Sequence, residues 1–199
     1  MGEALQGTKP GSVEQAFESL ATPGDLPGNL RGLIETPLRE AAVLVPIIDY
    51  PDEPALLLTR RTDALRQHPG QISFPGGALE ETDEGPVGAA VRETEEETGM
   101  DTTDLEILGF LDTYLTITSF AITPVVARIP PGKPLRPDPA EVAELFEVPL
   151  KFVLDRANVR RHVGRRGELR VSYYSIPYQD KNIWGATAGM LVNLSSKIF

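Results

Sequence analysis

The amino-acid sequence predicts an α/β protein in which a mixed sheet is flanked by helices. Three observations lead there. Short apolar runs bounded by turn residues, 41–48 (AAVLVPII) and 55–59 (ALLLT), have the length and composition of buried strands. The segment 86–98 carries helix signals at both ends, Pro86 in its first turn and Gly99 just past its last. Strand-like and helix-like stretches interleave without strict β-α-β alternation, which favours a mixed sheet over a doubly wound parallel one.

In chain order, residues 1–12 are Gly-rich and polar and are expected to be loose. A short helix is expected over 13–20, where Val13, Phe17 and Leu20 recur at helical spacing. The Pro-Gly pairs of TPGDLPGNL then mark a loop. Residues 1–35 therefore read as an N-terminal extension with one helix, and 36–199 as the main domain. The two strands at 41–48 and 55–59 precede a polar, loop-like stretch from Arg60 to Gly77. The helix 86–98 is expected to bury Val87, Ala90 and Val91. The run 105–129, rich in Ile, Leu, Thr, Tyr, Phe and Val, suits two strands. A Pro-rich loop (130–139) follows, then an extended segment ending in a short helix (144–154). A hairpin over 159–178 turns at GRRGE, and a final helix is expected near 185–197.

Composition narrows the function. The chain has 199 residues, enough for a substantial core, and its 41% hydrophobic and 24% charged residues are ordinary for a soluble globular protein. No apolar run approaches the roughly 20 residues that cross a bilayer, and neither end carries a recognisable address, so a cytoplasmic, non-membrane protein is expected. There are no cysteines, which removes disulfides, thiolate zinc sites and a cysteine nucleophile. The net charge of −10 argues against sequence-independent nucleic-acid binding, which depends on Lys and Arg at phosphates. An anionic small molecule remains a fitting partner if cations, or a bound metal, are concentrated locally. A homodimer is compatible with the sequence and not demanded by it.

The chemistry concentrates in RETEEETGM, 92–100. On a helix Glu93, Glu96 and Glu97 stand at i, i+3 and i+4 and share one face. Like charges so placed cost roughly 0.2–0.5 kcal/mol per pair. Arg92 reaches Glu96 at i+4 but cannot neutralise three carboxylates. Acidic helical runs are most often solvated faces. Here, however, a Phe74-Pro75-Gly76-Gly77 turn and a second acidic loop (Glu80, Glu81, Asp83, Glu84) lie immediately upstream. All-oxygen donors suit hard cations, Mg²⁺ or Mn²⁺, which can offset phosphate charge and acidify a water.

This stretch resembles the Nudix box: a glycine, five residues, a glutamate, seven residues, then Arg-Glu-apolar-x-Glu-Glu-x-Gly-apolar. Arg92, Glu93, Glu96, Glu97, Gly99 and Met100 match. Thr94 replaces an apolar residue. Upstream the spacing is off by one, so either Asp83 or Glu84 fills the acidic position. The resemblance implies an α/β/α sandwich, hydrolysis of a nucleoside diphosphate linked to another group, and divalent cations on Glu93, Glu96 and Glu97, with the Gly77 carbonyl completing the shell. Glu96 is the candidate for orienting or deprotonating the attacking water, with Glu93 and Arg92 beside it.

The preceding loop supplies cations to this acidic neighbourhood: Arg60, Arg61, Arg66 and His68, with Gln71 beside them. An arginine fork suits phosphate oxygens, although Arg60 and Arg61 could equally cap a strand and pair with the acidic loop after Gly77, and His68 is expected as a loop histidine or a hydrogen-bonded positioning group rather than a general base. The run LLTRRTDALRQHPGQISFPGG is similar to the extra motif of coenzyme A diphosphatases within the Nudix family, through Leu57, Leu58, Thr59, Arg61, Arg66, Gly70 and Phe74 to Gly77. Tyr178 and Ile183 to Ala188 resemble that subfamily's closing segment. The implied reaction splits coenzyme A or a derivative into adenosine 3′,5′-bisphosphate and a 4′-phosphopantetheine fragment. Rival readings are a Nudix hydrolase of ADP-ribose or a dinucleoside polyphosphate, and a nucleotide-sensing domain without catalysis. Glu141 and Glu144 are candidates for a further acid from a distant loop, with a surface role favoured for each. Trp184 is expected to pack under the final helix rather than stack on a base.

Overall fold

The computed structural model describes residues 2–19, 34, 36–65, 68–166 and 169–199. Its centre is an eight-stranded mixed sheet. Five strands run in the order β3 (Ile72–Ser73), β2 (Ala55–Arg61), β1 (Arg39–Ile48), β7 (Phe120–Ile129), β5 (Glu106–Phe110). Three more attach at its sides: β4 (Gly76–Ala78) on β1, β6 (Tyr114–Leu115) on β7, and β8 (Val142–Pro149) on β2. β1 and β7 pair in parallel along their full length, from Arg39↔Phe120 to Ile48↔Ile129, and the other pairings are antiparallel. That is the mixed sheet the interleaved pattern predicts.

Strand alternation divides the core between two faces. Ala42, Leu44 and Ile48 of β1, Leu57 of β2, and Val125, Ala127 and Ile129 of β7 meet Ala89 and Ala90 of α3 (Gly85–Thr98). Val45, Ile47, Leu56, Leu58 and Val126 meet α4 (Leu150–Leu154) and α5 (Ala186–Ile198) on the other face. α5 buries Thr187, Ala188, Met190, Leu191, Leu194 and Ser195, the i, i+3, i+4, i+7 stripe of an amphipathic helix. A second sheet, β9 (Arg160–Arg166), β10 (Leu169–Tyr178) and β11 (Lys181–Trp184), adjoins α5.

Several elements differ from the sequence reading. The loop expected from Arg60 to Gly77 contains β3 and β4, and 105–129 holds three strands rather than two. Strands of two or three residues leave no periodic trace. α3 buries Ala89 with Ala90 where Val91 was expected, because the inner stripe continues through Thr94, Glu97 and Thr98. The opening residues are not loose. α1 (Gly2–Leu5) places Leu5 fully inside the core, the Thr8 hydroxyl accepts from the Phe110 amide at 2.7 Å, and the Thr113 hydroxyl donates to the Gly11 carbonyl at 2.7 Å. The expected helix at 13–20 is present as α2 (Val13–Ser19). No helix among the described residues is long and apolar enough to cross a membrane.

Candidate active site

The site forms where two strands part. β1 and β2 share the register pairs Ile47↔Leu56 and Ile48↔Ala55. Beyond these β2 turns to β3, through Thr59↔Ser73 and Arg60↔Ile72, while β1 turns to β4, through Ala42↔Gly77 and Val43↔Gly76. The Pro75-Gly76-Gly77 turn fills the gap, tied by the Leu44 amide donating to the Pro75 carbonyl at 2.9 Å. Gly76 has φ 153°, and a Cβ there would lie 2.3 Å from the Ala42 carbonyl oxygen. Only glycine fits.

α3 lies against this turn. Its stop is Gly99 in the left-handed conformation, donating to the Glu95 carbonyl at 2.8 Å. The Pro-rich loop closes the same helix end, with the Arg136 amide on the Thr98 carbonyl (2.7 Å) and the Asp138 amide on the Glu97 carbonyl (3.0 Å). Two free carbonyls of the last turn are thereby satisfied. Thr94 is fully buried where an apolar residue was expected, and its hydroxyl donates to the Ala90 carbonyl at 2.6 Å. That bond removes the cost of an unpaired hydroxyl in the core.

Arg92 organises the surrounding carboxylates. Its Nε donates to Asp83 Oδ1 (2.9 Å). One terminal nitrogen reaches Glu93 (2.9 Å) and Glu96 (3.2 Å), and the other reaches Asp83 Oδ2 (3.0 Å) and the Ala78 carbonyl (3.1 Å). All five guanidinium hydrogens are committed. Arg92 thus ties the 78–83 loop to two of the helix glutamates. Of the two upstream acids, Asp83 is the one bonded to Arg92 and it also accepts from the Glu80 amide at 2.8 Å, whereas Glu84 stands at the helix start without a side-chain cap bond.

The three helix glutamates differ in environment. Glu97 lies on the inner stripe and is buried, with Oε2 bonded to nothing among the described residues. Burial pushes its carboxyl up to about 8. Arg61 and the Gly76 amide pull it down, while the negative charges of Glu141 and Glu93 raise it further. Glu93 is half-buried and also raised, first by desolvation, against the pull of Arg92. A Cβ on Gly77 would lie 2.4 Å from Glu93 Oε1, so that carboxylate rests directly on the glycine backbone. Glu96 is the outermost, 60% exposed and tethered by Arg92. Among the described residues no three acidic or histidine side chains converge as a closed ligand set. The donors still suit a hard cation: they are all oxygen, one is buried and unsatisfied, and another sits in a cradle that only glycine leaves open.

Arg60 and Arg61 part company because consecutive strand residues face opposite sides. Arg61 shares the face of Leu57 and lies 3.8 Å from Glu97, its own Nε buried without a partner among the described residues. Arg60 shares the face of Leu56 and Leu58, 3.3 Å from Glu144. The sequence placed both in one patch, and the structure assigns only Arg61 to the glutamates. The two distant acids divide likewise. Glu141 lies close enough to raise Glu93 and Glu97, while Glu144 binds Arg60 and, at 2.9 Å, Lys181. His68 and Gln71 bond each other (2.9 Å) on the loop, where the Gln71 carbonyl accepts from the Arg61 amide (2.9 Å). Arg66 lies outside the described residues.

A cavity of about 380 Å³ opens at Arg60, lined also by Gly70, Ile72, Glu144, Asp180, Lys181, Asn182 and Trp184. Lys181 and Asn182 gave no signal in the sequence, since β11 is too short to show a period. Trp184 does not pack under α5. It is 41% exposed and meets Tyr173 edge-on at 5.9 Å, because it alternates with buried Ile183 and so points away from the core.

The NUDIX domain model matches residues 38–166. The chain is 41% identical over 163 residues to the uncharacterized Nudix hydrolase NudL of Escherichia coli (strain K12), covering 80% of this chain and 83% of that protein, and equally so to NudL of Shigella boydii serotype 18. Similar solved structures include a C. elegans Ap4A hydrolase binary complex (20% identity, TM-score 0.48, 56% of this chain and 80% of that one). A MutT protein from Methanosarcina mazei Go1 is another (24% identity, TM-score 0.48, 61% and 83%). With the box on α3, the Gly-Gly turn beneath it and a family match over more than half its length, the chain belongs to the Nudix hydrolase family.

Proposed function

We propose that this Nudix hydrolase cleaves the diphosphate of coenzyme A or a derivative, giving adenosine 3′,5′-bisphosphate and 4′-phosphopantetheine or its acyl form. One observation carries the choice of substrate. The two stretches that resemble coenzyme A diphosphatases, 57–77 and 178–188, lie a hundred residues apart in sequence yet form one structure. The Thr187 hydroxyl donates to the Ile72 carbonyl at 3.0 Å, and both stretches line the cavity at Arg60, whose chain neighbour Arg61 lies 3.8 Å from Glu97 across β2.

In this reading Glu93, Glu96 and Glu97, with the Gly77 carbonyl, hold the Mg²⁺ or Mn²⁺ that Nudix hydrolases generally use. When bound, the cation offsets diphosphate charge and lowers the pKa of water. Arg61 directs its guanidinium at a diphosphate oxygen while balancing Glu97. Glu96, the most open carboxylate, orients the attacking water and takes its proton. The new P–O bond forms as the bridging P–O bond breaks, and the leaving phosphate carries away the electron pair. Arg92 holds Glu93, Glu96 and the 78–83 loop in register. His68 and Gln71 shape the loop that presents Arg61. Residues 36–199 carry the activity in this proposal, with 1–35 as an N-terminal extension.

Chromatographic product analysis tests it. Purified protein is incubated with coenzyme A, ADP-ribose and diadenosine polyphosphates, each with Mg²⁺, Mn²⁺ or a chelator, beside Glu97→Gln. Metal-dependent release of adenosine 3′,5′-bisphosphate, lost in the variant, is the expected result. Cleavage of another substrate alone overturns the coenzyme A assignment. Tight binding without turnover overturns catalysis.

A further inference from the structure

The cavity between the loop before the box and β11 has a composition that selects its occupant. Two cations, Arg60 and Lys181, face two carboxylates, Glu144 and Asp180. Glu144 bridges Arg60 (3.3 Å) and Lys181 (2.9 Å), and Asp180 lies 3.3 Å from Lys181. The charges cancel within the wall, and the anionic seat between the cations is already filled by a carboxylate. A phosphate gains little there. What the cavity offers is an aromatic surface and an amide. Trp184 and Asn182 stand two apart on β11 and so share a face. Both are exposed at the cavity, and Asn182 makes no side-chain hydrogen bond to the described residues.

We propose that this cavity is the base-binding subsite, taking the uncharged adenine ring against Trp184 with its 6-amino edge read by Asn182. The inference rests on the substrate class proposed above and goes beyond it by assigning the discriminating residues. An exposed indole stacks on any base, and an asparagine amide matches the donor-acceptor pair that adenine presents at its amino group and N7. The position suits an extended substrate. Arg60 lines the cavity, and its chain neighbour Arg61 lies 3.8 Å from Glu97, so the proposed substrate would span from one side of β2 to the other. The wall from Asp180 to Trp184 lies beyond the family-matched span of 38–166, as a feature that sets specificity rather than hydrolysis would.

The chain's single tryptophan makes the test direct, since its emission reports this cavity alone. Full-length metal-free protein is titrated with adenosine, adenosine 3′,5′-bisphosphate, inosine, 4′-phosphopantetheine and inorganic phosphate. Saturable quenching by both adenosine compounds, weaker with inosine and absent with the other two, is expected. Asn182→Ala removes the preference of adenosine over inosine. With coenzyme A as substrate, Trp184→Leu raises KM by about 10-fold or more with kcat held, and Trp184→Phe restores most of it. Quenching by 4′-phosphopantetheine or phosphate instead, or an unmoved KM in Trp184→Leu, overturns the inference. Quenching by adenosine in a protein that does not cleave coenzyme A overturns the substrate proposal and leaves the base subsite standing.

Discussion

Arg60 and Arg61 are adjacent on β2 and serve opposite faces of the sheet, one 3.3 Å from Glu144 and the other 3.8 Å from Glu97. The separation predicts different kinetic phenotypes from neighbouring substitutions. Arg61→Ala is expected to lower kcat/KM by on the order of 100-fold, because in the proposed reaction it removes a fixed charge beside the diphosphate. Arg60→Ala acts mainly on KM. Steady-state kinetics of both variants on one substrate make the comparison, and equal losses in kcat would refute it.

Glu97 should limit the stability of the metal-free protein. Its folded-state pKa is near 8 against an ordinary 4.5, so the folded state binds the extra proton between those values. Its contribution is therefore fully present below about pH 4.5 and is lost as pH rises through 8. In chelator, Glu97→Gln is expected to be more stable than the parent at pH 8 to 9, by on the order of a few kcal/mol at most, yet inactive. Melting curves across that range read it out. A variant less stable than the parent at every pH would contradict the burial argument.

Gly77→Ala tests the cradle under Glu93. The added methyl would meet the carboxylate at 2.4 Å, and the side chain must move. Since a displacement of about 1 Å can cost 100-fold in rate, activity and Mn²⁺ affinity are expected to fall together while the melting temperature changes little. Unchanged Mn²⁺ binding by calorimetry would remove Glu93 from the ligand set.

Asp83→Ala and Glu84→Ala separate two acids that spacing alone cannot. Asp83 makes two bonds to Arg92 and Glu84 makes no cap bond. The first variant is expected to lower melting temperature and kcat, the second neither. Combining Asp83→Ala with Arg92→Lys should give less than the sum of the two losses, since both break one network.

The helical part of the site was legible because 3.6-residue periodicity and the Gly99 stop are local signals. Glu93, Glu96 and Glu97 could be placed on one side of α3 from their numbers alone. What local pattern cannot carry is which side of a strand meets the helix. In the sequence Arg60 and Arg61 are equivalent, and only the packing of Leu57 with the α3 cluster separates them; Trp184 lies on a strand of four residues, too short to show which way it points. Thr94 read as a departure, and its bond to Ala90 supplies the reason it is tolerated.

The family-matched span begins at residue 38, but the folded unit reaches back to the first helix. Leu5 is fully buried, and its carbonyl lies where a Cβ on Gly109 would be, 2.3 Å away. A protease that clipped the chain after Thr8 would extract a core side chain from beneath β5 rather than trim a tail. Resistance to such cleavage at the amino end would thus report on the integrity of the sheet, some distance from any catalytic residue.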